Sequence, residues 1–273
     1  LIPDPDGTIH LTASDVALIA DRRAGIGADG VIRVVPARHA DEPEVRELTE
    51  DAEWFMDYRN ADGSPAAMCG NGTRVTAAYL RREGLERGSR ISLATRAGVK
   101  HITVIESGDD TEFVTDLGEW ALLDPATAEE KGYDCLVRPH LGMDVPGLSV
   151  DVGSRHTVVL LPEEVALDHL DLTEAPTVTP APPDGSNVEF VRVIGPGHIA
   201  MRVHERGVGE TRSCGTGAAA AVVATHWWAG SSDTADQWTV DVPGGRLVVR
   251  LAGTRVDLQG PAALVADGTT DLA

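Results

Sequence analysis

Two cysteines stand in the same local setting. Arg212-Ser213-Cys214-Gly215-Thr216-Gly217 opens onto Ala218-Ala219-Ala220-Ala221, and Met68-Cys69-Gly70-Asn71-Gly72-Thr73-Arg74-Val75 repeats the pattern Cys-Gly-x-Gly at the head of a second helix-like run. A single such motif reads equally as a turn into a helix with a buried thiol, because free cysteine is a common core residue. Two copies point to chemistry. A thiol at a helix N-terminus meets unpaired backbone N–H groups and the positive end of the helix dipole, a setting that lowers thiol pKa and favours a thiolate. The N–H groups of Gly70, Asn71, Gly215 and Thr216 also suit a carboxylate, with glycine removing side chains that block close approach. An α-amino acid bound there sits between two thiols. Inverting its stereocentre without a cofactor needs a base on one face of the α-carbon and an acid on the other, and a thiolate and a thiol that exchange roles with substrate configuration meet that need. Helix-terminal hydrogen bonds to the carboxylate would stabilise the charge that develops as the carbanion forms.

The two motifs belong to a longer internal repeat. At an offset of 145 residues Met56 matches Met201, Gly70 matches Gly215 and Gly72 matches Gly217, while Asn60 and Glu205 each stand nine residues before their cysteine. Upstream of each cysteine a strand-like run, residues 54–58 or 198–203, dissolves into a Gly-containing loop that delivers the thiol to a helix start. Downstream strands at 102–105 and 247–251 each follow a glycine-marked turn, at Gly98 and at Gly244-Gly245. Further strands are expected at 31–35, 112–117, 156–161, 188–193 and 255–258. Residues 120–150, with Pro125, Pro139 and Pro146, read as a crossover, and the Pro-rich 176–185 as a surface loop. The expected fold class is α+β: two pseudo-symmetric lobes, each a mainly antiparallel sheet around a central helix, with the active site in the cleft between them.

Composition narrows the partners. With 273 residues, 42% hydrophobic and 24% charged, the chain is long enough for two packed cores. A net charge of −20 argues against nucleic acid or an anionic membrane surface, both of which reward clustered Lys and Arg, and favours a small-molecule substrate. No apolar run approaches the roughly 20 residues of a membrane span and no signal segment opens the chain, so a cytoplasmic location is expected. The three cysteines do not suggest a secreted disulfide framework. Lys100 and Lys131 are the only lysines, which leaves few candidates for a pyridoxal Schiff base.

Four segments taken in order resemble a known family. They are Asp21-Arg22-Arg23-Ala24-Gly25-Ile26-Gly27-Ala28-Asp29-Gly30, then Tyr58-Arg59-Asn60-Ala61-Asp62-Gly63-Ser64 through Met68-Cys69-Gly70-Asn71-Gly72, then Asp184-Gly185-Ser186-Asn187-Val188-Glu189-Phe190, and Val203-His204-Glu205-Arg206-Gly207-Val208-Gly209-Glu210-Thr211 through Cys214-Gly215-Thr216-Gly217. This set, which spans most of the chain, resembles the diaminopimelate epimerases, relatives of the cofactor-independent amino-acid racemases. The resemblance implies an isomerase of lysine and peptidoglycan precursor synthesis that interconverts LL- and meso-diaminopimelate without cofactor or metal. It implies Cys69 and Cys214 as the acid–base pair, with His156 and Glu205 assisting. Substrate contacts would come from Asn60, Asn187, Glu205 and Arg206, and the α-carboxylate would rest on Gly70, Asn71, Gly215 and Thr216. The tail, roughly 260–273, would return to the first lobe, giving a first lobe of 1–118 plus 260–273 and a second of 119–259. A homodimer stays open.

Two departures stand out. The family opens with a strand and a Gly- and Asn-containing loop before the region matched by Leu1, so an N-terminal segment is expected to be missing. The family also carries Gly-Asn-Pro-His where this chain has Gly153-Ser154-Arg155-His156, which puts Ser154 at a substrate-reading position and leaves a racemase for a different amino acid as the alternative. Proline racemases tend to have His where Asn71 stands, and Asn71 favours diaminopimelate. From other classes, a phosphate cradle lacks the Lys-Ser or Lys-Thr and G-x-G-x-x-G patterns, a zinc site lacks Cys-x-x-Cys or His-Glu-x-x-His, and a thiol-redox pair remains to be tested. Cys135 lacks the helix-start context and reads as core.

Overall fold

The computed structural model describes residues 1–108, 110–139, 143–230 and 236–271. The chain divides into two units, Leu1–Asp116 with Gly260–Ala273, and Leu117–Gln259. The first begins with β1 (Ile2–Pro3), α1 (Ala13–Ala20), β2 (Gly30–Pro36), the single turn α2 (Pro43–Arg46) and β3 (Trp54–Asn60). It continues through α3 (Gly70–Arg82), β4 (Arg90–Thr95), β5 (Gly98–Ser107) and β6 (Asp110–Glu119). The second contains β7 (Ala121–Leu122), α4 (Pro125–Lys131), β8 (Cys135–Arg138), β9 (Val145–Asp151), β10 (Arg155–Leu160) and β11 (Thr177–Thr179). After these come β12 (Asn187–Gly195), β13 (His198–Glu205), β14 (Gly209–Thr211), α5 (Gly215–Ala229), β15 (Gln237–Val242), β16 (Gly245–Ala252) and β17 (Arg255–Pro261). The class is α+β.

The internal repeat is a repeat of topology. In the first unit β2 and β3 pair antiparallel, α3 crosses over, β4 joins β3 parallel, and β5 returns antiparallel to β4. In the second, β12 and β13 pair antiparallel, α5 crosses over, β15 joins β13 parallel, and β16 returns antiparallel to β15. Each helix packs on the sheet that it crosses. Around α3 lie Ile32, Met56, Leu80, Ile91, Leu93, Ile102, Val104 and Phe113, the alternate residues of the strands plus one helix face. Helix α5 differs in kind: every residue from Gly215 to Thr225 is buried, which an all-Ala, Gly, Val and Thr sequence allows because no side needs water.

The proline signals mislead twice. Residues 120–150 do not form a bare crossover: Asp124 caps α4 with Pro125 in its first turn, where proline costs nothing, and β8 and β9 pair antiparallel with Pro146 inside the ladder. The 176–185 stretch likewise contributes β11, paired with β8. Cys135 is buried among Val137, Val159, Leu172 and Phe190, a core residue as its context implied.

On the face of the first sheet away from α3, a charged network lies inside the protein. Asp57, 1% exposed, accepts from Arg96 at 2.5 Å and from Arg59 at 3.2 Å, and its other oxygen lies 3.7 Å from Arg33 Nε. Arg33 is itself 1% exposed and shares Asp4 at 3.7 Å. Removing the Asp57 charge takes the acidic partner from Arg59 and leaves Arg33 with Asp4 and Asp41 and Arg96 with Glu42, and breaking a buried pair in this way costs about 3–5 kcal/mol. Asp57→Asn is therefore expected to lower unfolding stability by about that much. Denaturant melts with unchanged native circular dichroism check it, and a loss under about 1 kcal/mol would mean that the network is solvated.

Candidate active site

Each unit has one helix start with a cysteine at its cap. Cys69 and Cys214 are the N-cap residues of α3 and α5, both with extended backbone (φ −138°, ψ 118° and φ −112°, ψ 115°). Each sulfur accepts the third backbone N–H of its helix, from Gly72 and from Gly217, at 3.4 Å in both cases. A cap is normally Ser, Thr, Asp or Asn; here the thiol has that place, so its orientation is set by the helix itself. Both donor residues are glycines for steric reasons. A Cβ on Gly217 would lie 2.6 Å from Glu189 Oε1 and 3.2 Å from Cys214 Sγ, and one on Gly72 would press at 3.2 Å on Cys69, Ile32 and Met56.

In the first unit the expected residues divide. Cys69, Gly70 and Asn71 are together at the start of α3, with Asn71 Oδ1 accepting from Arg74 Nη2 at 2.8 Å. Asn60 ends β3 and is held in a turn: its Nδ2 donates to Ser64 Oγ at 3.0 Å, and Gly63 supplies a positive φ of 83°. Cys69 is half-buried.

The second unit brings more together. Ser154 Oγ lies 2.8 Å from His156 Nε2, and His156 Nδ1 lies 2.7 Å from Glu189 Oε1. Cys214 completes the group, with its sulfur, a histidine nitrogen and a Glu189 oxygen all within 4.8 Å of one another. Glu205 accepts from the Thr211 hydroxyl, and Thr216 Oγ1 lies 3.6 Å from Cys214 Sγ. Asn187 Oδ1 accepts from the Arg206 backbone N–H at 2.9 Å, while the Arg206 guanidinium donates to the Asp184 carbonyl at 2.6 Å. So Asn187 and Arg206 form a pair at the strand ends, apart from the thiol cluster in hydrogen bonding. A cavity of about 290 Å³ beneath Pro180–Pro183 shares His156 and Arg155 with Cys135 and Asp134, but neither Cys214 nor Glu205 lines it. It lies behind His156.

Glu189 was not expected at the site. Its signal was present as an acid inside the apolar run Asn187-Val188-Glu189-Phe190-Val191, and the strand's two-residue period turns it away from the core that holds Val188 and Phe190. The carboxylate is fully buried and its Oε2 has no hydrogen-bond partner among the described residues. His156, Glu189 and Cys214 offer donor types that suit a soft divalent cation. However, both ring nitrogens are already engaged, and the 2.7 Å between Nδ1 and Oε1 is a hydrogen bond that a metal would have to break. The arrangement fits proton handling better.

The expected lowering of thiol pKa by the helix start fails at Cys214. Burial pushes this thiol well above its ordinary range, and the Glu205 and Glu189 carboxylates push it further, against the smaller effect of the Thr216 hydroxyl and the Gly217 N–H. Cys214 is held as the thiol.

The family model described as diaminopimelate epimerase matches residues 1–122 and 148–264. The chain belongs to the diaminopimelate epimerase family. A diaminopimelate epimerase of Streptomyces coelicolor is 44% identical over all of this chain and 91% of its own length. One from Thermobifida fusca is 42% identical over 100% of this chain and 93% of its own length. Solved structures extend the fold alone. A hydroxyproline epimerase from Agrobacterium vitis, with trans-4-hydroxy-L-proline bound, has a TM-score of 0.63 at 14% identity over 91% of this chain and 77% of that one. A phenazine biosynthesis protein of the PhzF family from Bacillus anthracis has a TM-score of 0.63 at 16% identity, covering 92% and 86%. In this family member the Ser154 hydroxyl lies 2.8 Å from His156 Nε2.

Removing the negative charge of Glu189 should let Cys214 ionise more readily, because a nearby carboxylate favours the neutral thiol. In Glu189→Gln the thiolate ultraviolet absorbance of Cys214, read with Cys69 and Cys135 replaced by Ala, is expected to develop at a lower pH than with Glu189 intact. An unmoved titration would mean that burial alone holds the proton.

Proposed function

We propose that this protein interconverts LL- and meso-diaminopimelate without a cofactor, as a cytoplasmic isomerase of lysine and peptidoglycan precursor synthesis. The observation that carries the reading is the identical capping of two helix starts by Cys69 and Cys214, in a chain that matches its family over nearly its whole length. No helix among the described residues is long and apolar enough to cross a membrane.

The chemistry follows from the two settings. Cys214, held as the thiol, donates a proton to the α-carbon; Cys69 removes the α-proton from the other face; the roles reverse for the opposite configuration. The free N–H groups of the first turns, Gly70-Asn71 and Gly215-Thr216, accept the substrate α-carboxylate and the charge that grows on it. Burial and the Glu205 and Glu189 carboxylates keep the proton on Cys214, and His156 holds Glu189 beside it. Asn60, Asn187 and Arg206 read the distal end of the substrate, the part in which diaminopimelate differs from simpler amino acids. Ser154 positions His156, so its place in the family's substrate-reading slot leaves one amide fewer for that distal end.

Incubation with a panel of amino acids in heavy water is expected to replace the α-proton of diaminopimelate alone. Cys69→Ala and Cys214→Ala should each lower inversion by about 10²- to 10⁴-fold while the fold is retained, because each thiol serves one face. Full inversion by either single variant would end the two-base mechanism, and exchange of a different amino acid would shift the substrate assignment to a related racemase.

A further inference from the structure

Among the described residues Arg74 is a buried cation without an acidic partner in an ion pair. It is 5% exposed and points back along the first turn of α3: Nη1 donates to the Gly70 carbonyl at 3.3 Å, Nη2 to Asn71 Oδ1 at 2.8 Å, and Nε to the Pro261 carbonyl at 3.4 Å. All three acceptors are neutral. No carboxylate lies within ion-pair distance of it among the described residues, unlike Arg33, Arg59 and Arg96 on the other face of the same sheet. Placing a guanidinium inside a protein without a counter-charge is costly, and fully buried arginines are as a rule paired. The group of opposite sign that acts on it is the Cys69 sulfur, at the cap of the helix turn whose Gly70 carbonyl and Asn71 side chain Arg74 holds. Burial brings the Arg74 guanidinium down to about 10, and negative charge on Cys69 acts in the opposite direction.

The surroundings leave that pairing uncontested. The strands packed on α3 turn Ile32, Met56, Ile102 and Val104 toward it, and the Tyr58 and Tyr79 phenols are the titratable side chains among the described groups packed on this core. Asp57 and Arg33 face the opposite side of the sheet, as the alternation of β2 and β3 requires. Thr73 brings only a hydroxyl, bonded to Thr115 at 2.9 Å. At the far end of the helix Arg82 is paired with Asp267. The fold thus sets a permanent positive charge behind the sulfur, at a helix N-terminus whose dipole has the same sign.

We propose that Arg74 is a positioning residue that holds Cys69 as a thiolate in the free enzyme, and so makes Cys69 the base of the resting state. This rests on the assignment of Cys69 as an acid–base group. The energetic relation is reciprocal: a thiolate that stabilises the buried guanidinium is stabilised by it to the same extent. The two cysteines then differ at rest because their neighbours differ, a cation beside Cys69 and carboxylates beside Cys214. The side-chain hydrogen bond to Asn71 gives Arg74 a second task, since it fixes the residue that follows the thiol by two positions.

The test is the pH dependence of alkylation of Cys69 by iodoacetamide in the intact enzyme, read on the Cys69 peptide by mass spectrometry, for the unaltered protein, Arg74→Lys and Arg74→Met. The unaltered protein is expected to react with an inflection below the ordinary thiol value of about 8.5. Arg74→Met should raise that inflection by about one unit and slow alkylation at neutral pH about tenfold, and Arg74→Lys should restore most of the rate. If Arg74→Met does not fold, the unaltered protein decides: a Cys69 inflection at or above the ordinary value overturns the proposal. So does an inflection that is the same in all three proteins. Proton exchange with diaminopimelate, measured separately, distinguishes failure of the epimerase reading, because alkylation requires no turnover; a low Cys69 inflection that follows Arg74 in a protein without exchange supports the pairing and removes the substrate.

Discussion

A helix that starts inside a core leaves backbone N–H groups that must find an acceptor, and in this protein both central helices give the N-cap position to a cysteine sulfur. Much else follows from this. The third residue of each helix is glycine because a Cβ would collide with the neighbouring carboxylate or press on the capping thiol. The strand that precedes each helix must end one loop earlier, so that the chain can turn and deliver the thiol to the helix axis. The same interaction that completes the helix therefore aims the reactive atom, and no separate structure is needed to orient it.

Identical caps do not make identical thiols. Cys214 heads a helix buried on all sides and lies beside Glu189 and Glu205, so the dipole loses to desolvation and like charge. Cys69 is half-buried and has a guanidinium behind it. The difference arises from single residues on the surrounding elements: an acid in the middle of β12 and an arginine four residues into α3 after its first glycine. Two units of the same topology thereby carry thiols in opposite electrostatic settings, which suits the proposed inversion because it needs one acid and one base at any moment.

Stability and chemistry share little of the buried charge. The Arg33, Asp57, Arg59 and Arg96 network is on the face of the first sheet away from α3, with its members paired against one another. Arg74 and Glu189, by contrast, are left without full partners on the helix side, Arg74 with neutral acceptors only and Glu189 with one oxygen unsatisfied. Buried groups that lack partners are retained where the missing partner is part of the reaction.

Sequence alone carried the local and periodic features. The Cys-Gly-x-Gly pair, the 145-residue repeat and the strands at 31–35, 54–58, 156–161, 188–193 and 198–203 are legible because helix starts and half-buried strands impose short-range patterns on residue type. Pro125 and Pro146 were misleading for the opposite reason: a proline in the first helical turn gives up no bonded N–H, and whether one fits a strand depends on which N–H a neighbour distant in the chain needs. Tertiary structure decided the protonation. Arg74 and Glu189 look like ordinary charged residues in their segments, and only folding removes their water, so that one is left beside Cys69 and the other beside Cys214. Ser154 stands in a motif position expected to touch substrate, and packing places its hydroxyl 2.8 Å from His156 Nε2, a partner that the motif does not name. Residue type sets which protons can move; the distance between residues far apart in sequence sets which ones do.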